Sequence, residues 1–372
     1  MLTSVTIKNL RNHADTRVEG LRPLNVIAGP DGSGKTSFLE AVHVIHRIGV
    51  ASPPNLFPVG SLRAPELMAR SGQRDYSIAA WGDEDGRAWH AEVSFQRVAE
   101  RWSGVTLVAL EGGPRTPASH GVAGILGVPD WFKTAVTDAK LLRLESSALR
   151  GASRPQQPGA GCAADGAGLA NTVAWLARDH AVRFRQVVGL LREVVPEVVN
   201  VSTAPVPVSE SVTRTARAGR SEADFEVRRE AMAEELAFDT IDAERIPAAH
   251  QADGALFALG ILASLILPSR PNLVLLDDVE RGLDPPSQRR LIRVLRRVAA
   301  TDATLQVIMT THSPYIVDEL APEELWVAGR DATRQVRVMR MLELPDADGA
   351  LRVLTTGEFW SVLGDYRPEG GE

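Results

Sequence analysis

Val5 and Ile7 alternate with polar neighbours near the start of the chain. That is the two-residue period of a half-buried strand. Leu24-Asn-Val-Ile-Ala28 is a short apolar run of strand length, and Gly29 to Gly34 breaks it with a glycine-rich loop. Phe38, Val42 and Ile45 then recur at helical spacing. A strand that ends in a glycine loop opening a helix is an α/β phosphate-site layout. Residues 51–120 hold many prolines and glycines between alternating runs such as Tyr76–Trp81 and Trp89–Phe95, which predict a small antiparallel sheet. Residues 151–168 read as a flexible loop, Leu169–Val195 as one long helix ending before Pro196, and residues 203–222, rich in Ser, Thr, Pro and Arg, as an exposed segment. From Asp253 the pattern becomes helix, strand, turn, helix, strand. Leu256, Leu259, Ile261, Leu262 and Leu265 make an apolar helix, and Leu273–Leu276 is the continuous apolar run of a strand buried on both faces. Leu291, Ile292, Leu295 and Val298 predict the next helix, and Leu305–Met309 the next strand.

Composition adds exclusions. The 372 residues are 44% hydrophobic and 24% charged, which rules out wholesale disorder. The longest apolar candidate, Leu256–Leu267, falls short of a membrane span, and no signal peptide is readable after Met1. One cysteine, Cys162, excludes a disulfide framework and a multi-cysteine zinc site, so a cytoplasmic protein is expected. The net charge of −6 gives no global sign of a nucleic-acid binder. The lysines are Lys8, Lys35, Lys133 and Lys140, and every other basic residue is Arg.

The sharpest motif is Gly29-Pro30-Asp31-Gly32-Ser33-Gly34-Lys35-Thr36, followed by Ser37. It fits G-x-x-x-x-G-K-[ST], whose glycines let backbone N–H groups wrap phosphates at the positive end of the next helix. Lys35 would reach the β- and γ-phosphates of ATP, and the Thr36 hydroxyl would bind Mg²⁺. A compact ammonium here cannot be replaced by the fork of an Arg, so the scarcity of lysine adds weight. The second motif is Leu273–Leu276 running into Asp277, Asp278, Val279 and Glu280. A buried strand that delivers an acid at its end suits a Mg²⁺-organising carboxylate, Asp277, with Asp278 next to it to orient or deprotonate water. Glu280 is a second acid placed for that task, although it better suits anchoring the Arg281-Gly282 turn. His312 follows the next strand, at the sheet edge where ligands sit, and reads as a γ-phosphate sensor. Asp253-Gly254 opens the apolar helix and suits either backbone binding of a phosphate or a plain cap.

Taken in order, these elements resemble the ABC-type ATPase heads of the SMC, RecF and OLD group, and more narrowly its stand-alone AAA-family ATPases. Val5–Asn12 resembles the group's opening strand, Asp253-Gly254 its signature helix, Arg281–Pro285 with Asp284 its D-loop, and His312 its switch histidine. The likeness extends through Asp165–Ala170, Val195-Pro-Glu197 and the closing Thr356–Trp360. Three departures stand out: Asp31 where Asn is usual, Asp278 where many members carry Glu, and Ala252 where the signature serine is expected. Gln73 and Gln96 are the candidates for a Mg²⁺-sensing glutamine.

The resemblance implies an α/β P-loop NTPase of ABC type, with a mixed central sheet, a β-rich subdomain and a helical insertion. The nucleotide core would be residues 1–50 and 246–345, the β-rich subdomain 51–135, the helical insertion lobe 136–245 and a C-terminal extension 346–372. It also implies Mg²⁺-dependent ATP hydrolysis and a homodimer formed on ATP binding, with Asp253, Gly254 and Asp284 acting across the interface. DNA repair and anti-phage defence are roles met at family level. Arg289, Arg293, Arg296 and Arg297 form one basic helix face, which could bind DNA or an acidic partner, a solvated face being the simpler account. With 60 residues after His312 and no acidic strand-end cluster among them, DNA cleavage is expected from a separate effector or nuclease. Two other readings stay open: a nucleotide-regulated switch with little hydrolysis, and a transporter's ATP-binding subunit. The 216 residues between Thr36 and Asp253 argue against the transporter.

Overall fold

A computed structural model of the chain describes residues 1–47, 72–73, 75–98, 101–110, 116–118, 130–137, 139–153, 161–218, 221–331, 333–344 and 347–363. Residues 51–71 of the Pro/Gly-rich stretch 51–120 and part of the expected loop at 151–168 lie outside these residues. The chain divides into two compact units, one made of Met1–Leu141, Pro271–Glu280 and Gln288–Glu372, the other of Leu142–Arg270 and Arg281–Ser287.

The first unit is built on two six-stranded sheets. One has the order Val336–Arg340, Leu325–Arg330, Leu24–Ala28, Gln306–Thr311, Leu273–Leu276, Ala139–Leu142. Leu24–Ala28 runs parallel to both Gln306–Thr311 and Leu325–Arg330, Gln306–Thr311 runs parallel to Leu273–Leu276, and Val336–Arg340 is antiparallel to its neighbour. The mixed α/β sheet expected from the sequence is therefore present. Its central strands are buried at every position, as their unbroken apolar runs require. The second sheet is antiparallel and pairs Leu2–Leu10 with His13–Glu19 on one side and Asp75–Glu84 on the other. Asp75–Glu84, Arg87–Val98, Arg101–Leu110 and Thr116–Ala118 continue it in sequence order. The opening strand thus joins the predicted small antiparallel sheet. Helix Lys35–His46 lies in the core shared by the two sheets, where Phe38, Leu39, Val42 and Ile45 meet Val5, Ile7, Ile78 and Val93 from one and Ile27, Leu275 and Ile308 from the other.

In the second unit, helix Asp253–Ile266 is buried along almost its whole length, from Ala255 to Ile266. One sequence expectation is corrected here. The single helix over Leu169–Val195 is two, Leu169–Asp179 and Ala181–Val194, because His180 leaves helical geometry at φ −137°, ψ 51°. Of the expected exposed segment 203–222, the described residues belong to a long antiparallel ribbon of Val198–Ala218 and Ser221–Thr240, on which Pro205, Pro207 and Ser209 are exposed. Polar alternation with valine and threonine suits a ribbon as well as it suits a loop. Pro205 and Pro207 are tolerated because their strand is at the sheet edge, where a missing N–H costs no ladder bond.

Candidate nucleotide-binding site

The glycine loop sits between the C-terminal end of Leu24–Ala28 and the start of helix Lys35–His46. Gly34 at φ 95° gives the left-handed turn that opens the helix. A Cβ at Gly29 would run into the Ala328 carbonyl oxygen of the neighbouring strand, so the loop can leave the sheet only as glycine. Lys35 is buried, and its Nζ donates to the carbonyls of Gly29 at 2.7 Å and Pro30 at 2.9 Å. Burial holds its pKa below the usual lysine value, and the nearby carboxylates of Asp278, Asp31, Glu280 and Asp277 oppose that shift. Ser33 is buried beneath the loop, while Asp31 and Gly32 are exposed on it.

Strand Leu273–Leu276 delivers the acids. Thr36 Oγ1 donates to Asp277, with its carboxylate oxygens at 3.0 and 3.1 Å. From the parallel strand beside it, Thr310 Oγ1 donates to Asp277 Oδ1 at 2.7 Å and accepts the Asp278 N–H at 2.9 Å. Asp278 adopts φ 49°, a left-handed conformation that Asp tolerates better than most residues. Burial, and then the Asp277 charge, raise its carboxyl above the ordinary aspartate value, against the opposing pull of Lys35 and His312. Glu280 does not anchor the turn at Arg281-Gly282, as expected from the sequence. Its Oε1 accepts the His312 backbone N–H at 2.8 Å and faces His312 Nδ1 at 2.7 Å. Asp278, Glu280 and His312 place side-chain donor atoms within 4.8 Å of one another.

Lys35, Thr36, Asp277, Asp278, Glu280 and His312, from the two ends of the chain, thus form one cluster at one sheet edge. Pro30, Asp31, His312, Trp360 and Ser361 line a cavity of about 280 Å³ beside it. The closing motif supplies its far wall: the Gly357 N–H donates to Asp318 Oδ1 at 2.8 Å, which fastens helix Thr356–Leu363. Ser37 Oγ accepts from Arg11 Nη1 at 2.9 Å. Gln73 and Gln96 are both exposed in the same unit.

Three groups were not found from the sequence. His13 is buried and reaches the Gly34 carbonyl with Nε2 at 3.1 Å and Thr16 Oγ1 with Nδ1 at 3.0 Å. Burial pulls its pKa down to about 4, so the ring is a neutral brace under the loop. Arg330 donates Nε to the Gly32 carbonyl at 2.8 Å and adds a bond from Nη2. Thr310 is the hub between the two aspartates. All three act through folding contacts between segments far apart in sequence, which no local motif marks.

In the second unit, Asp253 is engaged by Ser146 Oγ and by Arg150 Nη2 at 2.6 Å. The Ser146 hydrogen bond is the main cause holding its carboxyl below the ordinary value. Arg150 Nη1 also donates to the Ala248 and Gln251 carbonyls, each at 2.7 Å, which braces the approach to the helix. A Cβ at Gly254 would lie 2.8 Å from the Gly282 carbonyl oxygen, so the helix start and the Arg281–Leu283 turn pack backbone to backbone. Asp284 caps helix Pro285–Thr301, accepting the Ser287 N–H at 2.8 Å and its hydroxyl at 3.0 Å.

Three arginines of the basic helix face are ion-paired within the fold. Arg289 pairs with Asp318 at 3.1 Å, Arg293 with Glu319 at 2.6 Å and Arg296 with Glu324 at 2.7 Å. Arg297 also has partners within the fold. The acids that satisfy this face lie some 20–30 residues onward in the sequence, out of reach of a helical-wheel reading.

Residues 4–46 match the family described as "AAA domain", and residues 215–318 the family described as "AAA domain, putative AbiEii toxin, Type IV TA system". Over 99 residues, the chain is 34% identical to the DNA double-strand break repair Rad50 ATPase of Methanopyrus kandleri, covering 26% of this chain and 10% of that protein. Over 44 residues, it is 48% identical to the DNA replication and repair protein RecF of Acinetobacter baumannii, covering 12% of each. The chain thus aligns with about a tenth of the length of these curated relatives. Among solved structures, the Smc head domain of Pyrococcus furiosus, with an extended coiled coil and bound to the C-terminal domain of ScpA, aligns over 95% of this chain and 99% of its own. The TM-score is 0.54 at 11% identity, a likeness of fold. The two matched segments contain the residues of both halves of the candidate site, and the fold resembles that of an Smc head domain.

Proposed function

We propose that the chain binds ATP with Mg²⁺ in the Gly29–Thr36 loop and hydrolyses its terminal phosphate. The observation that carries this is the bond from Thr36 to Asp277, which joins residues 241 apart in sequence into one oxygen-rich corner next to Lys35. A hydroxyl and a carboxylate are hard oxygen donors and fit Mg²⁺, so Thr36 and Asp277 are the residues that would hold it. When bound, Mg²⁺ supplies positive charge to the phosphate oxygens. The chain's own groups do the rest. Lys35 and the amides of Gly32–Thr36 bind the phosphates, with Pro30, Asp31 and Ser37 flanking them. Asp278, whose burial strengthens it as a base, takes the proton of the attacking water at a carboxylate oxygen. His312 contacts the terminal phosphate from the adjacent strand end.

Two copies would close on ATP, each offering Asp253, Gly254 and Asp284 to the nucleotide of the other. The named activities of the Rad50 and RecF relatives make DNA a partner to test. The ion-paired Arg289, Arg293 and Arg296 do not support that role for this face. A switch with slow turnover is the second reading, favoured by Asp278, which is one methylene shorter than the Glu many members carry. Equilibrium binding of ATP with and without Mg²⁺ tests the site. In Thr36→Ala the Mg²⁺-dependent gain in affinity should fall by about tenfold. Equal Mg²⁺ dependence in both proteins would refute this metal assignment.

A further inference from the structure

Glu280 is deeply buried, with 7% of its side chain exposed, while His312 beside it is 55% exposed. One carboxylate oxygen, Oε1, serves that histidine twice, through the backbone N–H at 2.8 Å and through Nδ1 at 2.7 Å. An ionised carboxylate only accepts, so Nδ1 is the nitrogen that carries the hydrogen. In the neutral ring this leaves Nε2 as a bare acceptor. A terminal phosphate oxygen is also an acceptor, so Nε2 can meet it only after gaining a proton. The resulting imidazolium is balanced at its other end by Glu280. A carboxylate fixed behind a histidine sets which ring nitrogen is offered to the ligand.

We propose that Glu280 is the positioning residue of the phosphate sensor, holding His312 with Nδ1–H so that it meets a nucleoside triphosphate only as an imidazolium and binding takes up a proton. The inference rests on the reading of the Gly29–Thr36 loop as an ATP site. The balance is simple: one proton from solvent adds to Nε2 on binding, no nucleotide bond breaks, and the proton returns to solvent when the terminal phosphate leaves. The groups around His312 are Asp31 from the loop, Asp278 and Glu280 from the strand end, and Trp360 and Ser361 from the closing helix. Asp278 is the competing site for a proton, since its carboxyl is also raised. The experiment must therefore separate the two.

Calorimetric titration of the full chain with the phosphorothioate analogue of ATP and Mg²⁺ at pH 8, in buffers of different ionisation enthalpy, counts the protons taken up. Wild type should take up a measurable fraction of a proton with this analogue and none with ADP. His312→Gln should abolish the uptake. Glu280→Gln keeps an oxygen for both hydrogens but loses the charge, so uptake should fall by about twofold or more, with ADP affinity unchanged. Buffer-independent heats in wild type, uptake that survives His312→Gln, or a Glu280→Gln protein with wild-type uptake would each overturn the proposal. Failure of wild type to bind either nucleotide would instead refute the loop assignment, and the inference with it.

Discussion

Thr310→Val replaces a fully buried hydroxyl by a methyl of similar shape, so the change is chemical rather than steric. The wild-type hydroxyl donates to Asp277 at 2.7 Å and accepts the Asp278 N–H at 2.9 Å. Losing a hydrogen bond to a charged acceptor costs about 1.5–3 kcal/mol, and an orphaned buried amide about 1–3 kcal/mol more. Thr36 still donates to Asp277, and the neighbourhood of Asp278 is only partly buried, so the sum lies toward the lower end, at about 3 kcal/mol. At about 2.1 cal/mol/K of unfolding entropy per residue over 372 residues, that is a fall of roughly 4 °C in melting temperature. Thr310→Ser is the comparison, since it keeps the hydroxyl and loses one buried methyl, at about 1 kcal/mol. Thermal unfolding without nucleotide should rank wild type, then Ser, then Val. The Mg²⁺ concentration needed for half-maximal nucleotide binding should rise about tenfold in the Val variant, because Asp277 loses a group that orients it. A Val variant as stable as the Ser variant would refute the assignment of Thr310 as the hub of the acidic corner.

Asp278→Asn should melt higher than wild type near pH 7.5, by about 0.5–1 kcal/mol, while losing turnover. The sign follows from the raised carboxyl: its ionised form is penalised on folding, so the penalty is absent below the ordinary aspartate value and complete above the folded one. The gain should therefore vanish on acidification toward about pH 4, and a pH-independent gain would contradict the cause given. Asp278→Ala should gain less, because φ 49° disfavours alanine. Ala252→Ser places a hydroxyl at the N-cap of helix Asp253–Ile266, where no side-chain cap bond exists, and should raise stability by about 1 kcal/mol in thermal unfolding. It should also strengthen ATP-dependent self-association in sedimentation, and identical mass with and without ATP would count against the two-copy arrangement.

The core elements of the candidate site were legible because their signals are local. A strand, a glycine loop and a helix are adjacent in sequence, and Leu273–Leu276 declares itself by its unbroken apolar run. The same local reading failed where contacts decide the outcome. Nothing local to Val198–Ala218 announces the ribbon it forms with Ser221–Thr240. His180 carries no proline or glycine to announce a helix break. Glu280 was read through its chain neighbours, Arg281 and Gly282, although its partner is His312 on the adjacent strand. Arg289, Arg293 and Arg296 looked like a basic surface because the acids that satisfy them belong to the turns after the next strand. Sequence spacing finds groups that act along one element, and it is blind to groups that meet across two.

Phosphate release from ATP and Mg²⁺ under steady state, with wild type and Lys35→Ala prepared in parallel, tests the central claim most directly. Lys35 is the buried cation of the loop, held at the Gly29 and Pro30 carbonyls, and in the proposed reaction it would meet the charge that develops on the terminal phosphate. Removing it should lower turnover by about a hundredfold or more while the protein stays folded. Turnover in Lys35→Ala equal to that of wild type would show that the Gly29–Thr36 loop is not where this chain does its chemistry.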